Sequence, residues 1–238
     1  TLVYTLSLHD ALPIWRFVPV LESSGLITRV TQPVLREAGA ALAASRARGF
    51  ADLRVSVNLS ARQLRQPELI GQIESTLAEF DLRPEQLEIE ITESTLLDNE
   101  QCQSNAVQLA ALGVRLAIDD FGTGYSSLTY LKRFDVDALK VDRSFVTDML
   151  EDQDDALIVY AVVGLASGLG IESVAEGVEL AAQRAQLRKQ GCDLIQGYLI
   201  ARPMPLPELL DWLDARPPDH DAATMGPSKP ATHPSSVV

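Results

Sequence analysis

The chain has 238 residues, 46% of them hydrophobic, which is enough for one large domain or two small ones with a sizeable core. Its 33 acidic and 20 basic residues give a formal charge of -13, which argues against a protein that coats a nucleic-acid polymer through its phosphates. A small phosphorylated ligand held through metal ions is still compatible with this charge.

The two ends differ from the middle in composition. Residues 1–15, TLVYTLSLHDALPIW, connect to no motif downstream and are predicted to be an unrelated or artefactual segment, with a genuine edge strand as the alternative. They lack the features of a secretory signal, and no apolar run is long enough to cross a membrane, so a cytoplasmic location is expected. Residues 217–238 are predicted to be a disordered tail, and residues 16–216 the folded domain.

Six short apolar runs rich in β-branched residues predict strands, and helical patterns such as QPELIGQIESTLAEF and DDALIVYAVVGLASGLG lie between them. This alternation predicts a parallel sheet with right-handed crossovers and both faces covered. The predicted strands are Leu53 to Ser60, Leu87 to Thr92, Val114 to Asp120, Ala138 to Asp142, Ile171 to Gly177 and Asp193 to Ile200.

A polar residue lies at or near the carboxyl end of each predicted strand. In a parallel (β/α)8 barrel these ends form the face that carries the active site. The predicted fold class is therefore α/β, a TIM-type (β/α)8 barrel with about six strands present, the other two preceding Arg16. The converging residues are Asn58, Glu90, Asp119, Lys140, Glu176 and Gln196.

The histidines limit the possible chemistry. All three lie near the ends, at His9, His220 and His233, so the region from Arg16 to Arg216 has no histidine triad and no histidine-ligated zinc. Catalysis and metal binding in the folded region must use carboxylates, amides and lysine.

The acidic residues predict a divalent-metal site. Asn58, Glu90 and Asp119 offer the oxygen ligands that Mg²⁺ or Mn²⁺ prefers. Asp120 can reach a second ion, and two ions would hold the attacking and leaving oxygens of a phosphodiester. The Gly-Thr-Gly that follows would let the loop approach a ligand closely.

Two residues have competing interpretations. Lys140 would orient the attacking water or bind a phosphate oxygen, and the alternative is a buried lysine that neutralises Asp142 or Glu90. Glu176 would be a metal ligand or the base that activates water, and the alternative is a cap for the helix that begins near Glu179.

The other candidates are less distinctive. Gln196 would bind a nucleobase or the metal shell, or be a satisfied core amide. Glu93 would hold the glycine-rich loop, or cap a helix through TESTLL. Arg62 and Gln63 would contact a phosphate or form a solvated helix start, and the second interpretation is favoured. Asp137 is interpreted as a turn residue at the surface.

Several motifs in order give the sequence a resemblance to the EAL-domain cyclic di-GMP phosphodiesterases. The resemblance covers Arg16 to about Trp212. It rests on RFVPVLESSGLI, VNLSARQ, LEIEITES, AIDDFGTGYSSLTYLKRFDVDALKVDRSF, VAEGVE and GCDLIQGYLIARPMP.

The resemblance implies a modified (β/α)8 barrel that hydrolyses cyclic di-GMP to linear pGpG, with two Mg²⁺ or Mn²⁺ ions. It also implies a homodimer and upstream sensory or regulatory domains, which could tether the full-length protein to a membrane. By this resemblance the metal ligands are Asn58, Glu90 and Asp119, while Asp120 and Glu176 serve the second ion and the water. Lys140 positions that water. Glu93 supports the loop DFGTGYSSL, and Gln196 completes the pocket.

One departure from the family pattern concerns the Glu-Ala-Leu strand that names it. That strand should lie upstream of Phe17, and HDALPIW abuts RFVPV too closely to replace it, so no role passes to Asp10. Hydrolysis by this chain is therefore expected to be impaired. Two alternatives stay open: a catalytically inactive domain that binds cyclic di-GMP or a protein partner, and a barrel lyase or aldolase with a Schiff base on Lys140.

Overall fold

The structure is a computed structural model that describes residues 3–4, 14–123, 131 and 133–215, with side chains from residue 18 onward. The strands are β1 Val3–Tyr4, β2 Arg54–Asn58, β3 Leu87–Thr92, β4 Arg115–Phe121, β5 Ala138–Val141, β6 Glu172–Ala175 and β7 Leu194–Ile195. The helices are α1 Ile14–Ser24, α2 Thr31–Ala47, α3 Ala61–Leu64, α4 Leu69–Glu79, α5 Glu93–Leu97, α6 Glu100–Ala111, α7 Arg143–Asp148, α8 Gln153–Leu169, α9 Ala181–Gln190 and α10 Leu206–Asp214, with 3-10 turns at Leu26–Val30 and Pro84–Gln86.

Within the described residues the strands form one sheet in the order β1 to β7, and every neighbouring pair is parallel. Helices connect the strands from β2 onward, except between β4 and β5, where residues 124–130 and 132 are not described. The six predicted strands are confirmed, and they curl into a half-barrel of the TIM type. An additional short pairing joins Val3–Tyr4 to β2.

The last predicted strand is shorter than expected. β7 contains two residues, and the chain then turns at Gly197, whose carbonyl accepts a hydrogen bond from the backbone N–H of Ile200 at 3.0 Å. A Cβ at Gly197 would lie 2.3 Å from the backbone oxygen of Val178, so this turn requires glycine. Gln196 therefore follows β7 and lies outside it.

The two faces of the sheet have different chemistry because side chains alternate along each strand. One set, which includes Val57, Ile89 and Ile118, packs beneath the helices in the main hydrophobic core. The opposite set forms the concave face, where a small apolar group of Ala117, Ala138, Val174 and Leu194 separates two polar layers.

The polar layer at the amino ends of the strands is a network of ion pairs. Glu88 is 2% exposed, and its Oε2 lies 3.4 Å from Nε of Arg54 and 3.2 Å from Nε of Arg115. Burial alone would raise the pKa of Glu88, but the two arginines outweigh it and lower that pKa. Glu172 joins both arginines, at 2.9 Å and 2.6 Å. This network holds β2, β3, β4 and β6 together.

Asp137 was interpreted as a turn residue at the surface, and the structure shows a different role. Its carboxylate accepts a hydrogen bond from the backbone N–H of Leu116 at 2.9 Å and lies 3.5 Å from Arg115 Nη1. Asp137 therefore joins the ion-pair network, and the sequence around it gave no sign of this because its partners, Arg115 and Leu116, lie on β4.

Some predictions concern residues that lie outside the described ones: the tail 217–238, most of the segment 1–15 and the loop residues 124–130. The boundaries 1–15, 16–216 and 217–238 therefore stay predictions. Among the described helices, none combines the length and apolar character that a bilayer crossing needs.

Candidate active site at the carboxyl ends of the strands

Lys140 is the centre of the second polar layer. Its side chain is 3% exposed, and its Nζ lies 2.8 Å from Glu90 Oε2, 3.2 Å from Asp119 Oδ1 and 2.5 Å from Glu176 Oε1. Burial alone would lower the pKa of Lys140, but the three carboxylates outweigh it and raise that pKa above its ordinary value. Lys140 is therefore a protonated ammonium, which does not favour a nucleophilic Schiff-base lysine.

Asn58 and Glu90 meet because β2 and β3 pair in parallel with these two residues in register. The Asn58 Nδ2 donates a hydrogen bond to Glu90 Oε2 at 2.8 Å. The other oxygen, Glu90 Oε1, is buried and has no hydrogen-bond partner in the part of the chain that the structure describes. A buried carboxylate oxygen in this position fits a cation as its partner.

The two neighbouring aspartates diverge at an irregularity in β4. The register with β5 shifts between Ile118 and Phe121, and Asp120 has a left-handed backbone, with φ of 53°. This conformation is uncommon for a residue other than glycine and marks a local constraint. Asp119 keeps its place on the concave face beside Lys140, while Phe121 turns into the main core.

Three carboxylates form a compact oxygen cluster at the open end of the half-barrel. Oxygens of Asp119, Asp120 and Glu176 all lie within 4.8 Å of one another. Burial and the charge of Asp119 raise the pKa of Glu176 to about 7, although Lys140 opposes this, and burial with the charge of Asp119 raises the pKa of Asp120 to about 6. With Glu90, four carboxylates face one lysine, so the donor set fits a divalent cation.

Asp142 interacts with Asp120 at the edge of this cluster, whereas the sequence indicated it only as a partner for Lys140. Burial would raise the pKa of Asp142, but the hydrogen bonds from Ser144 outweigh it and lower that pKa, and the interaction with Asp120 adds to the lowering. The charge of Asp142 adds to the raised pKa of Asp120. Asp142 also caps α7 by accepting from the backbone N–H of Ser144 at 2.9 Å. Lys140 and Asp142 are two residues apart, a spacing that places both on one face and could have identified Asp142.

Gln196 lies next to the segment that carries Glu176. Its backbone N–H donates to the carbonyl of Ala175 at 2.8 Å, and its carbonyl accepts from the N–H of Val178 at 3.0 Å. The structure therefore brings Gln196 to the same end of the sheet as the cluster, and its function stays a prediction.

Glu93 lies at the first position of α5. Thr92 caps that helix, with its Oγ1 accepting from the backbone N–H of Thr95 at 3.2 Å. Because residues 124–130 lie outside the described part, support of that loop by Glu93 stays a prediction.

The solvated helix start predicted at Arg62 and Gln63 is correct for Arg62 and wrong for Gln63. Gln63 is 5% exposed, and its Nε2 donates to Thr31 Oγ1 at 3.1 Å. Its Oε1 accepts from the backbone N–H of Ser60 at 3.1 Å. The local sequence pattern indicated the start of a helix, but it did not show that α2 would pack over Gln63.

Comparison with known proteins is consistent with this arrangement. The family model described as EAL domain matches residues 2–203. MucR of Pseudomonas aeruginosa, named a bifunctional diguanylate cyclase/cyclic di-GMP phosphodiesterase, is 42% identical over 203 residues, covering 85% of this chain and 30% of that protein. NbdA of the same organism, named a cyclic di-GMP phosphodiesterase, is 43% identical over 209 residues, covering 85% and 27%. The chain thus spans less than a third of the length of these curated relatives.

Solved structures have the same fold. The structure named PaMucR phosphodiesterase, c-di-GMP complex, has a TM-score of 0.81 and 41% identity, with 85% of this chain and 82% of that chain covered. The EAL domain of Mycobacterium smegmatis DcpA has a TM-score of 0.74 and 36% identity, with 79% and 84% covered. This chain therefore belongs to the EAL domain family.

Proposed function

We propose that this chain is a phosphodiesterase domain that hydrolyses cyclic di-GMP to linear pGpG with divalent metal ions. The observation that carries the proposal is the cluster of four carboxylates around Lys140 at the carboxyl ends of parallel strands. The relatives named cyclic di-GMP phosphodiesterases, and the related structure named as a c-di-GMP complex, support the choice of substrate.

The residues around Lys140 suggest where ions would be held. Asn58, Glu90 and Asp119 would hold the first ion, and Asp120 with Glu176 the second. When bound, Mg²⁺ or Mn²⁺ supplies the positive charge that stabilises a phosphodiester in its transition state and makes water more acidic. Two observations support this assignment: Glu90 Oε1 has no hydrogen-bond partner among the described residues, and the carboxylates outnumber the lysine.

Glu176 and Lys140 would act on the attacking water. One P–O bond would form to the water oxygen and the P–O bond to the ribose O3′ would break. The proton taken from the water would be returned to O3′, which leaves as a hydroxyl, and the phosphate would stay on the 5′ side. Glu176 lies beside Lys140 and the oxygen cluster, so its carboxylate could accept the proton of the water. Lys140 holds that carboxylate at 2.5 Å and stabilises its charge. Gln196 would complete the pocket.

Turnover by the purified 238-residue chain tests the proposal. Cyclic di-GMP is incubated with the chain in Mg²⁺ or Mn²⁺ and in EDTA, and pGpG is separated by chromatography. We expect pGpG only with the divalent ion, and a loss of at least about 100-fold for Glu176→Gln. Glu37→Gln, at an exposed position on α2, is the matched control and should leave the rate unchanged.

Two outcomes of this experiment would contradict the proposal. An equal rate in EDTA would rule out metal dependence. Binding of cyclic di-GMP in EDTA without turnover in any ion would favour the alternative of an inactive binding domain. Impaired hydrolysis stays a prediction, and the turnover rate of the 238-residue chain in Mg²⁺ or Mn²⁺ tests it.

We also propose that the domain pairs as a homodimer through α8. Leu157 and Tyr160 of α8 are 64% and 59% exposed and lie on one side of the helix because they are three residues apart. Two large exposed apolar side chains on one face are typical of an interaction surface. Analytical ultracentrifugation tests this by comparing the mass in solution of the chain with that of the double variant L157E/Y160E. The chain should sediment as a dimer and the double variant as a monomer.

The parent protein, in this proposal, acts in the cytoplasm and joins the EAL domain to sensory or regulatory domains. Two observations support it: the relatives are more than three times as long as the part matched here, and the two buried cysteines are free.

A further inference from the structure

Gln183 is a buried polar side chain next to the segment that carries Glu176. It lies in the first turn of α9 and is 2% exposed. Its Oε1 accepts from the backbone N–H of Glu179 at 2.9 Å and of Leu180 at 2.8 Å. Its Nε2 donates to the carbonyls of Val146 at 2.9 Å and Thr147 at 3.3 Å. These four bonds use the full capacity of the amide.

The two halves of this amide do different things. The bonds to Oε1 satisfy backbone N–H groups at the start of α9, as the third residue of a helix often does. The bonds from Nε2 reach the far end of α7, which a helix cap does not need. α7 directly follows β5, the strand that carries Lys140. Gln183 therefore links α7 to the loop that follows Glu176.

The same loop is fixed on its other sides. The N–H of Val178 donates to the carbonyl of Gln196 at 3.0 Å, and the carbonyl of Val178 accepts from Leu199 at 3.0 Å. Gly177 lies against Arg143, because a Cβ at Gly177 would be 2.5 Å from the Arg143 Cγ. Gln183 fixes the same loop on the side of α9.

We propose that Gln183 is a positioning residue that keeps the Glu176 carboxylate against Lys140 and Asp119. It does so by tying residues 179 and 180 to the end of α7, so that the loop after β6 cannot shift relative to β5. Its effect on turnover rests on the proposed function, because Glu176 serves the metal and the water there. A displacement of about 1 Å at such a group costs about 100-fold in rate.

Gln86 provides a matched control. It is the third residue of the 3-10 turn Pro84–Gln86, is 5% exposed and accepts from the backbone N–H of Arg83 at 3.1 Å. Its Nε2 donates to the carbonyls of Ala51 at 3.1 Å and Leu53 at 3.3 Å. Gln86 therefore has the same kind of bonds, but it precedes β3 and lies at the opposite end of the sheet from Glu176.

The experiment compares Gln183→Met with Gln86→Met in the 238-residue chain. Three quantities are measured: amide hydrogen exchange of Glu179 and Leu180 by NMR without metal, Mn²⁺ affinity by EPR without substrate, and kcat and KM for cyclic di-GMP. For Gln183→Met we expect exchange and the Mn²⁺ dissociation constant to rise about tenfold and kcat to fall about tenfold or more, with KM within about threefold. Gln86→Met should leave the affinity and kcat within about twofold.

Gln183→Glu is the second variant in case Gln183→Met does not fold. It keeps the acceptor oxygen for Glu179 and Leu180 but loses the donors to α7. Slow exchange of these two amides with weaker Mn²⁺ binding would support the link to α7.

The proposal is wrong if either variant keeps the Mn²⁺ affinity of the parent chain, since Gln183 would then be a helix cap alone. It is also wrong if both Gln183→Met and Gln86→Met weaken Mn²⁺ binding equally. If the unmodified 238-residue chain shows no turnover, the proposed function fails. Amide hydrogen exchange and Mn²⁺ affinity still decide the role of Gln183 in that case.

Discussion

Lys140 and Glu90 form a buried ion pair at 2.8 Å, with side chains 3% and 2% exposed, across strands β5 and β3 that do not pair directly. β4 lies between them and contributes Asp119 to the same lysine at 3.2 Å. Because removing one member of a buried pair leaves the others uncompensated, this lysine is a structural as well as a chemical requirement of the site.

Lys140→Met should destabilise the fold. Three carboxylates would lose their buried partner, so the free energy of unfolding should fall by about 3 to 5 kcal/mol, measured by urea denaturation at neutral pH. Lys189→Met, at an exposed position of α9, is the control and should change it by less than about 0.5 kcal/mol. Equal stability of the two variants would contradict the buried ion-pair assignment.

Glu88→Gln tests the ion-pair network at the opposite end of the strands. Glu88 neutralises Arg54 and Arg115 where solvent is excluded, so the loss should reach about 3 to 5 kcal/mol. Glu79→Gln removes an exposed pair with Arg36 and should cost about 1 kcal/mol or less. Thermal and urea denaturation of both variants provide the comparison, and a similar loss in the two would show that burial does not matter here.

Gly197→Ala should destabilise the chain at the turn after β7. The new Cβ would lie 2.3 Å from the oxygen and 2.4 Å from the nitrogen of Val178, and backbone atoms cannot move aside cheaply. We expect a loss of about 3 kcal/mol or more. Gly168→Ala is the control: it lies in α8, and among the described residues an added Cβ would meet no atom within 4 Å beyond the adjacent backbone of its own helix, so stability should rise by up to about 1 kcal/mol. A Gly197→Ala protein as stable as the parent would contradict this geometry.

Cys192 should resist alkylation. It is 1% exposed, and burial raises the pKa of its thiol to about 12. Since the thiolate is the reactive form and the buried thiol forms little of it at pH 8, the native chain should be labelled much more slowly than the unfolded chain. Iodoacetamide labelling followed by mass spectrometry measures this rate, with the chain in urea as reference. Equal rates in the native and unfolded chains at pH 8 would contradict it.

The strands and most candidate site residues could be predicted from the sequence because their signals are local. β3 has the predicted bounds, since Leu87–Thr92 alternates apolar and polar residues without interruption. β7 is shorter than predicted because the turn at Gly197 depends on contact with Val178, a residue 19 positions earlier. Gln63 and Asp137 were interpreted as surface residues because their partners come from other elements.

The sequence by itself determined the alternation of strands and helices and the type of residue that ends each strand. Apolar periodicity and the order of motifs are properties of the chain alone, and they were sufficient to indicate the family. Only the tertiary structure decided the ion pairs of Lys140, the left-handed backbone of Asp120, the participation of Asp142 and the bridge made by Gln183. These depend on the register of parallel strands and on side-chain distances between distant segments, which local patterns do not encode.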